Sequence, residues 1–316
     1  MPETLVVALG GNAITRPGEP GTIPQQFAHT AETLEHLLPL FRSGCGLVIT
    51  HGNGPQIGNI LIRVEEAERR VPRLPLDTCV SDSQGGMGYM IQRLACELFR
   101  RENIRRGVVT LITQVLVESA DPDFAHPSKP IGEFYTREQA ERLQFERPRW
   151  SLLEIEPGRF RRVVPSPHPL AILEEEAIRT LVEDGVVVIA CGGGGIPVAW
   201  HDGSLVGVEG VVDKDLSSGL LATRIGAHKL IIVTSVERAA IHYGNPEQRW
   251  LGTIGIQEAR AYLATGEFPP GSMGPKIEAG IDFVESGGCE CIITSTEHVA
   301  CALAGRAGTH IVRERA

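Results

Sequence analysis

The 316-residue sequence lacks the features that mark membrane and secreted proteins. No apolar run reaches the ~18 residues that a membrane-spanning helix needs, and no basic region precedes the short apolar run in MPETLVVALGG. We interpret that run as a first strand, not a signal peptide. The seven cysteines show no metal-ligand spacing, which favours buried thiols in a reducing compartment. We therefore expect a cytoplasmic protein that has no membrane association and no metal held by protein side chains alone.

An excess of positive charge is also missing, and lysine is scarce. The formal net charge of −9 argues against nucleic-acid or membrane-surface binding. Only four of the 30 basic residues are lysines: Lys129, Lys214, Lys229 and Lys276. A compact ammonium fits tight spaces that a guanidinium fork does not, so these positions are candidates for a narrow anion site. We interpret Lys229, in a loop before a strand, as structural.

Apolar strands alternate with amphipathic helices along most of the chain. The N-terminal part predicts strands over 4–9, 46–50, 107–117 and 186–190, and helices over 25–44, from Pro55, over 82–103 and over 173–185. The C-terminal part predicts helices over 213–226, 256–266 and 271–288, and strands over 229–236, 289–295 and 309–312. Near-continuous Val/Ile/Leu strands separated by helices indicate an α/β fold, a mostly parallel sheet covered on both faces.

One segment breaks this alternation. Prolines crowd between residues 121 and 165, and prolines at this density suit turns and sheet edges, not helix interiors. We predict a small β-hairpin subdomain that is inserted at about 121–165 and protrudes from the sheet.

Glycine-rich turns follow three of the predicted strands. They are Gly10-Gly11-Asn12, the segment HGNGP at 51–55 and the run Gly192–Gly195. Ligands of open parallel sheets bind at the carboxyl ends of strands, where bare backbone N–H groups and helix N-termini attract phosphates and carboxylates. Neither G-x-x-x-x-G-K-[ST] nor G-x-G-x-x-G spacing is present, which excludes a P-loop and a dinucleotide fingerprint. The turns predict an anion cradle of another kind.

The remaining lysines lie in unusual settings. Lys129 stands between prolines, Lys214 lies between Asp213 and Asp215 at a helix start, and Lys276 falls in the first turn of a helix, where a cation opposes the macrodipole. The alternatives without a functional role are that Lys129 is a solvated surface lysine and that the two aspartates only cap a helix. The functional hypothesis is that Asp215 holds the lysines while one aspartate orients a metal or hydroxyl. Three ammonium groups beside an anion cradle suit phosphoryl transfer.

Eight blocks of this sequence, covering essentially its whole length, resemble the signature blocks of carbamate kinases, which belong to the amino acid kinase superfamily. Among them are VALGGNA, THGNGPQIGN, DSQGGMGY, PSKPIG, IACGGGGIPV, GVVDKDLSSG and GSMGPK. The resemblance implies an open αβα sandwich with two lobes, working as a homodimer. It implies reversible transfer between ATP, with Mg²⁺, and carbamate, giving ADP and carbamoyl phosphate.

The resemblance also assigns roles to residues of this chain. It implies one domain whose acceptor lobe spans 1–212 and whose nucleotide lobe spans 213–316. The groups around carbamate and the transferred phosphoryl would be Gly10, Gly11, Asn12, Gly52, Asn53, Gly193 and Gly194. The catalytic set would be Lys129, Lys214, Lys276 and Asp215, and nucleotide contacts would come from Asp213, Thr234, Tyr243, Met273 and Lys276.

Two positions bear on how far the resemblance extends. Many superfamily members carry a lysine at the position of Ala8. Carbamate kinases also lack that lysine, and Lys129 looks like its replacement. The segment 234–248 departs from the family pattern on the nucleotide side. We expect a catabolic role in which ATP synthesis is the physiological direction. The alternatives are another acyl-phosphate-forming kinase of the superfamily and a non-catalytic nucleotide or metabolite sensor.

Overall fold

The computed structural model describes residues 3–16 and 18–314, except for the side chain of Asn12. The strands are β1 Thr4–Leu9, β2 Gly46–His51, β3 Val108–Thr110, β4 Gln114–Val117, β5 Lys129–Tyr135, β6 Ser151–Glu156, β7 Arg159–Val164, β8 Pro169–Ile172, β9 Val187–Ile189, β10 Ile196–His201, β11 Ser204–Gly207, β12 Lys229–Thr234, β13 Ala240–Ile241, β14 Arg249–Trp250, β15 Thr253–Gly255, β16 Glu290–Ser295 and β17 Thr309–Val312. The helices are α1 Ile23–His36, α2 Leu38–Arg42, α3 Gly54–Ala67, α4 Leu76–Arg101, α5 Arg137–Glu146, α6 Glu175–Glu183, α7 Lys214–Arg224, α8 Ile256–Ala264, α9 Gly274–Glu285 and α10 Val299–Leu303. Short 3₁₀ turns cover Gly11–Ala13, Pro122–Phe124, Gly192–Gly194 and Thr296–His298.

A sheet of eight strands, in the order β15-β17-β16-β12-β1-β2-β9-β3, lies at the centre. Its pairings are parallel except that between β16 and β17. Alternate residues of β1 enter different cores: Val6 and Ala8 pack with residues of α7 and α9, whereas Val7 packs with residues of α1 and α4. Helices therefore cover both faces, and the predicted αβα sandwich is confirmed.

Two smaller sheets complete the frame around the site. One has the order β11-β10-β4-β8, and the other is the antiparallel sheet β5-β7-β6. The predicted hairpin of the inserted segment is present as β6 and β7, and the structure adds β5 and helix α5 to it. In the described part of the chain, every helix is too short or too polar to cross a bilayer.

Helix α4 differs from its predicted form. The sequence predicts a helix over 82–103 that a glycine-rich turn opens, but α4 begins at Leu76 and carries Gly85, Gly86 and Gly88 inside it. Each glycine costs up to ~1 kcal/mol relative to alanine in a helix interior. Tertiary packing overrides this local cost, since Gly88 lies directly against the side chain of Thr110 on β3.

Two other predicted elements are divided in the structure. The helix predicted over 25–44 is interrupted at Leu37, between α1 and α2. The strand predicted over 107–117 becomes β3 in the large sheet and β4 in the second sheet. The backbone N–H of Thr113 donates to Oε1 of Gln84 at 2.8 Å and Nε2 of Gln84 donates to the carbonyl of Thr113 at 3.1 Å. A buried side-chain amide thus takes the place of a neighbouring strand where the chain changes sheets.

The packing of α4 generates a paired prediction about stability. A Cβ added at Gly88 would lie 2.2 Å from Cγ2 of Thr110, whereas one added at Gly86 would meet nothing within 4 Å. We expect Gly88→Ala to lower the free energy of unfolding by ~1–3 kcal/mol through overpacking. The matched change Gly86→Ala should raise it by ~0.5–1 kcal/mol, because alanine restricts the unfolded chain and favours helix. Urea unfolding measures both, and a neutral Gly88→Ala would contradict the close packing.

Candidate active site

Three strand ends and two helix starts meet around one cavity. Because β1 pairs with β2 and β2 pairs with β9, all in parallel, the turns after these strands lie side by side at one edge of the sheet. They face a cavity of about 350 Å³. Its walls include Gly11, Gly52, Asn53, Lys129, Gly193, Asp213, Lys214, Asp215, Ser272 and Lys276. The expectation that ligands bind beyond the carboxyl ends of parallel strands thus identifies this edge.

The glycine run after β9 is required by close packing as well as by conformation. A Cβ at Gly192 would lie 2.5 Å from Nε2 of His51, one at Gly193 would lie 2.2 Å from Nδ2 of Asn53, and one at Gly194 would lie 2.1 Å from the carbonyl oxygen of Val212. Gly193 and Gly194 also have φ values of 67° and 94°, which side chains disfavour. Of these glycines only Gly193 lines the cavity. The main effect of the missing side chains is therefore close packing of the turn on its neighbours, and exposure of backbone to a ligand is a smaller one.

Asp215 is the centre of the charged cluster. Its side chain is 6% exposed, and its Oδ1 lies 2.7 Å from Nζ of Lys214 while its Oδ2 lies 2.7 Å from Nζ of Lys276. Backbone carbonyls extend the cage, because Nζ of Lys214 also lies 3.3 Å from the carbonyl of Leu9 and Nζ of Lys276 donates to that of Ser272 at 3.1 Å. One carboxylate therefore positions two ammonium groups at the start of α7 and α9.

The cluster is tightly coupled electrostatically. Burial by itself raises the pKa of the Asp215 carboxyl, but the ammonium groups of Lys214 and Lys276 outweigh burial and bring that pKa to about 2. Burial lowers the pKa of Lys214, the attraction of Asp215 opposes this, and the charge of Lys276 lowers it further. Two largely buried cations thus share one anion, and a phosphoryl group would neutralise this excess of positive charge.

The third lysine reaches the cavity from the inserted sheet. Lys129, the first residue of β5, donates from Nζ to Oδ2 of Asp213 at 2.6 Å. Asp213 also caps α7, since its Oδ1 accepts from the backbone N–H groups of Asp215 at 2.8 Å and Leu216 at 3.4 Å. The capping role and the lysine-holding role, which the sequence leaves as alternatives, are both present: Asp213 caps α7 and holds Lys129, whereas Asp215 holds Lys214 and Lys276.

Some predicted residues lie outside the cavity wall. Gly10 approaches β12 instead, donating from its N–H to the carbonyl of Val233 at 3.0 Å, and Gly194 packs on Val212. The side chain of Asn12 lies outside the described residues.

Of the five predicted nucleotide contacts, Asp213 and Lys276 line the cavity, and the other three lie beyond its wall. Thr234 ends β12, next to Gly10. Tyr243 is 62% exposed, with its ring edge-on to Trp250 at 6.2 Å. Met273 immediately precedes α9. The nucleotide roles of these three residues stay predictions.

The sequence interpretation gave no role to two side chains of the DSQGG motif that position the cradle. Ser83 accepts a hydrogen bond from Nδ2 of Asn53 at 2.8 Å, and Gln84 donates to the carbonyl of Gly192 at 3.0 Å. Both lie buried in the middle of α4. The signal that could have found them is two adjacent polar residues within a helix that is otherwise apolar on its inner side.

His51 is another buried polar residue behind the glycine turns. Burial lowers the pKa of this histidine to about 4, although its hydrogen bond to the carbonyl of Gly52 at 3.1 Å opposes the shift. It is therefore neutral near pH ~7. A Cβ at Gly192 would lie 2.5 Å from its Nε2, so His51 is a buried, hydrogen-bonded histidine that packs behind the glycine run.

Removal of the central charge tests the cluster. We expect Asp215→Asn to lower the free energy of unfolding by ~3–5 kcal/mol near pH ~7, because it removes the carboxylate that pairs with two largely buried ammonium groups. The folded-state pKa of about 2 lies below the ordinary value of 3.8, so the stabilisation is complete above the higher value and is lost as pH falls through the lower one. The difference in the free energy of unfolding between wild type and variant should be constant from neutral pH down to about pH 4 and should shrink below pH 4.

Urea unfolding over this pH range measures the effect. Glu146→Gln is the matched control, since Glu146 pairs with Arg142 on the exposed face of α5 at 3.8 Å, and it should change stability by less than ~0.5 kcal/mol. If the two variants lose similar stability, or if the stability difference between wild type and Asp215→Asn does not shrink in acid, the cluster is not the origin of the effect.

Comparisons with known proteins agree with this architecture. The model of the amino acid kinase family matches residues 3–295. The carbamate kinase-like protein YahI of Escherichia coli is 45% identical, and the match covers 99% of this chain and 100% of the relative. A carbamate kinase of Pyrococcus horikoshii is 42% identical over 98% of this chain and 99% of its own length. The structure of a carbamate kinase from Giardia lamblia bound to AMP-PNP superposes with a TM-score of 0.93 at 38% identity, over 99% of both chains. This chain therefore belongs to the amino acid kinase family, and within it to the carbamate kinases.

Proposed function

We propose that this protein is a carbamate kinase, which transfers a phosphoryl group reversibly between ATP and carbamate and yields ADP and carbamoyl phosphate. The observation that carries the proposal is the pair of ammonium groups that Asp215 holds at 2.7 Å each in a glycine-lined cavity. Lys129 adds a third positive charge at the same cavity. Full-length similarity to carbamate kinases supports the choice of acceptor.

The chemistry needs positioning and charge more than proton transfer. Carbamate is already an oxyanion, so the acceptor needs no general base, and the described cavity wall contains no histidine or cysteine. In a loose phosphoryl-transfer transition state the charge spreads over the oxygens of the migrating group. Lys214 and Lys276 are held in place before substrate binds, so they would neutralise that charge without reorganisation.

We propose that the two substrates enter from opposite sides of this cluster. Carbamate and the migrating group would lie under Gly11, Gly52 and Asn53, with Gly10, Asn12, Gly193 and Gly194 behind or beside them. The nucleotide would lie over Asp213, Thr234, Tyr243, Met273 and Lys276. This division supports an acceptor lobe over 1–212 and a nucleotide lobe over 213–316, because the cavity takes Lys129 from the first and Lys214 and Lys276 from the second.

The acids of the cavity bear on how Mg²⁺ would enter. The wall holds two carboxylates in the described chain, Asp213 and Asp215, and all four of their oxygens already face ammonium or backbone N–H groups. We propose that Mg²⁺ arrives on the phosphates of ATP or ADP, where it neutralises charge, and that the lysines supply the remaining positive charge. The cavity then fits a metal carried by the nucleotide.

The setting in the cell is part of the same proposal. All seven cysteines are free thiols, which supports a reducing, cytoplasmic location. A catabolic role, in which carbamoyl phosphate is consumed to make ATP, is the direction we propose. Formation of ATP from ADP and carbamoyl phosphate in a coupled assay tests the activity, with acetyl phosphate as a control donor. Nucleotide binding without turnover would instead identify a sensor, and a preference for another acceptor would identify a different acyl-phosphate kinase.

Substitution of lysine by arginine tests the role of a compact cation. We expect Lys214→Arg and Lys276→Arg each to lower kcat/KM by ~10²–10³-fold, comparable with loss of a preorganised donor, since a guanidinium does not fit beside Asp215. Lys229→Arg is the matched control: Lys229 pairs with Glu290 at 2.7 Å outside the cavity and should keep activity within about twofold. Steady-state kinetics decide, and wild-type rates in Lys214→Arg or Lys276→Arg would contradict the role.

We also propose that the protein is a homodimer joined beside β3. This strand is the outermost of the large sheet on its side, and next to it a groove of about 360 Å³ is lined by Tyr89, Arg93, Cys96 and Ile112. Tyr89 is 59% exposed and Ile112 is 47% exposed. A second copy of the chain would cover these apolar groups and the open strand edge.

Changing this face should change the oligomeric state. We expect Tyr89→Asp with Ile112→Asp to give monomers in light scattering after size-exclusion chromatography, because each charge would be buried in the interface. Trp200→Asp is the control, since Trp200 is also 59% exposed but lies on β10. A dimer that survives the double change would place the interface elsewhere.

A further inference from the structure

A second cationic cavity lies in the inserted sheet, apart from the active-site cavity. It has a volume of about 540 Å³ and shares no lining residue with the cavity around Asp215. Its wall carries three arginines, Arg73, Arg149 and Arg162, against one glutamate, Glu209. Trp150 and Phe124 contribute aromatic surface. The lining therefore combines an excess of positive charge with apolar walls.

Arg162 is the unusual member of this set. The residue is 8% exposed, and within the described chain its guanidinium forms no hydrogen bond; Nη1 is fully buried without a partner. The nearest carboxylate oxygens are those of Glu65 at 3.6 Å and Glu209 at 4.0 Å, beyond normal hydrogen-bond length. The guanidinium lies over the ring of Trp150 at 4.5 Å. Nη1 lies nearest to Glu65, which is outside the cavity wall. Burying a guanidinium that has an unpaired Nη1 costs free energy, and an anion in the cavity would bind the donors that are not fully buried.

The other charged groups favour an added anion. Arg73 and Arg149 are exposed, and neither forms an ion pair with a described residue. Glu209 is already engaged, because its Oε1 accepts from the backbone N–H of Leu76 at 3.0 Å at the start of α4. The glutamate thus serves to cap a helix, which leaves the arginines for a ligand.

We propose that this cavity is a regulatory site for a small organic anion that carries phosphate or carboxylate groups on a short apolar body. Arginine forks match both kinds of anion, and Phe124 would contact the apolar body, while Trp150, which is 6% exposed, packs against Arg162. Phosphate and carboxylate bind arginine in the same way, and the experiment below distinguishes between them.

The site has a short covalent and hydrogen-bonded route to the catalytic lysine, and this part of the proposal rests on the proposed function. In the sheet, Val164 of β7 lies opposite Lys129, and Arg162 lies opposite Ile131. The carbonyl of Pro165, in the cavity wall, accepts from the N–H of Val211 at 2.9 Å, two residues before Asp213. An anion that draws Arg162 towards it would shift β7 and its partner β5, which carries Lys129, and through Pro165 the segment that leads to Asp213. Its kinetic effect should be a change in KM for carbamoyl phosphate.

Calorimetric binding to the full-length protein tests the site with pyrophosphate and citrate as probes. Both cavities are cationic, so we expect two sites per chain for at least one probe. Lys276→Ala should remove one site, and the double change Arg73→Ala with Arg149→Ala should weaken the other at least tenfold without changing the melting temperature. The control Arg142→Ala, an exposed arginine on α5 that pairs with Glu146, should change neither. The probe that binds the second site more tightly identifies the ligand as a phosphate or a carboxylate.

The variants also separate this proposal from the proposed function. Arg162→Gln should abolish the second site, and if that variant does not fold, the Arg73 and Arg149 changes decide. Binding that the double change leaves intact, or a single site that Lys276→Ala removes, would overturn the proposal. A second site retained in a protein without kinase turnover would overturn the proposed function alone. Loss of the KM effect in the double variant, with kcat unchanged, would support the coupling to Lys129.

Discussion

The attraction between one buried carboxylate and two largely buried ammonium groups is the interaction on which the site depends. Asp215 lies in the first turn of α7 and Lys276 in the first turn of α9, so their contact joins the N-terminal ends of two helices that also pack together where Gly219 meets Ala279. Lys214 completes the cluster beneath the end of β1. A buried pair of this kind is a weak source of stability, and its value here lies in holding two cations ready for an anion.

The glycines make that cluster accessible. Three turns converge because their strands are parallel neighbours, and they pack closely because side chains are absent where His51, Asn53 and the backbone of Val212 press on the run at 192–194. Helix α4 then stabilises the turns from behind through Ser83 and Gln84. The cradle is therefore a packed structure whose bare backbone serves assembly and ligand approach together.

The inserted sheet links the two cationic cavities. It carries Lys129 on one strand and Arg162 on the strand paired with it, so one small sheet contributes a cation to the wall of each cavity. Lys129 is paired with Asp213 at 2.6 Å. Substrate would have to compete with this aspartate for the lysine, which makes the inserted sheet a natural place for regulation.

Local patterns in the sequence determined the fold class, because apolar strands and amphipathic helices depend on side-chain periodicity over a few residues. The strand Thr4–Leu9, the cap at Asp213 and the exceptional lysines were all recognisable in this way, and motif resemblance indicated the family. Tertiary structure alone decided which aspartate holds which lysine, why Gly88 lies inside a helix and where the chain from 107 to 117 changes sheets. These features depend on contacts between residues far apart in the chain, such as Lys129 with Asp213 and Gly88 with Thr110, whose free energies no local pattern carries.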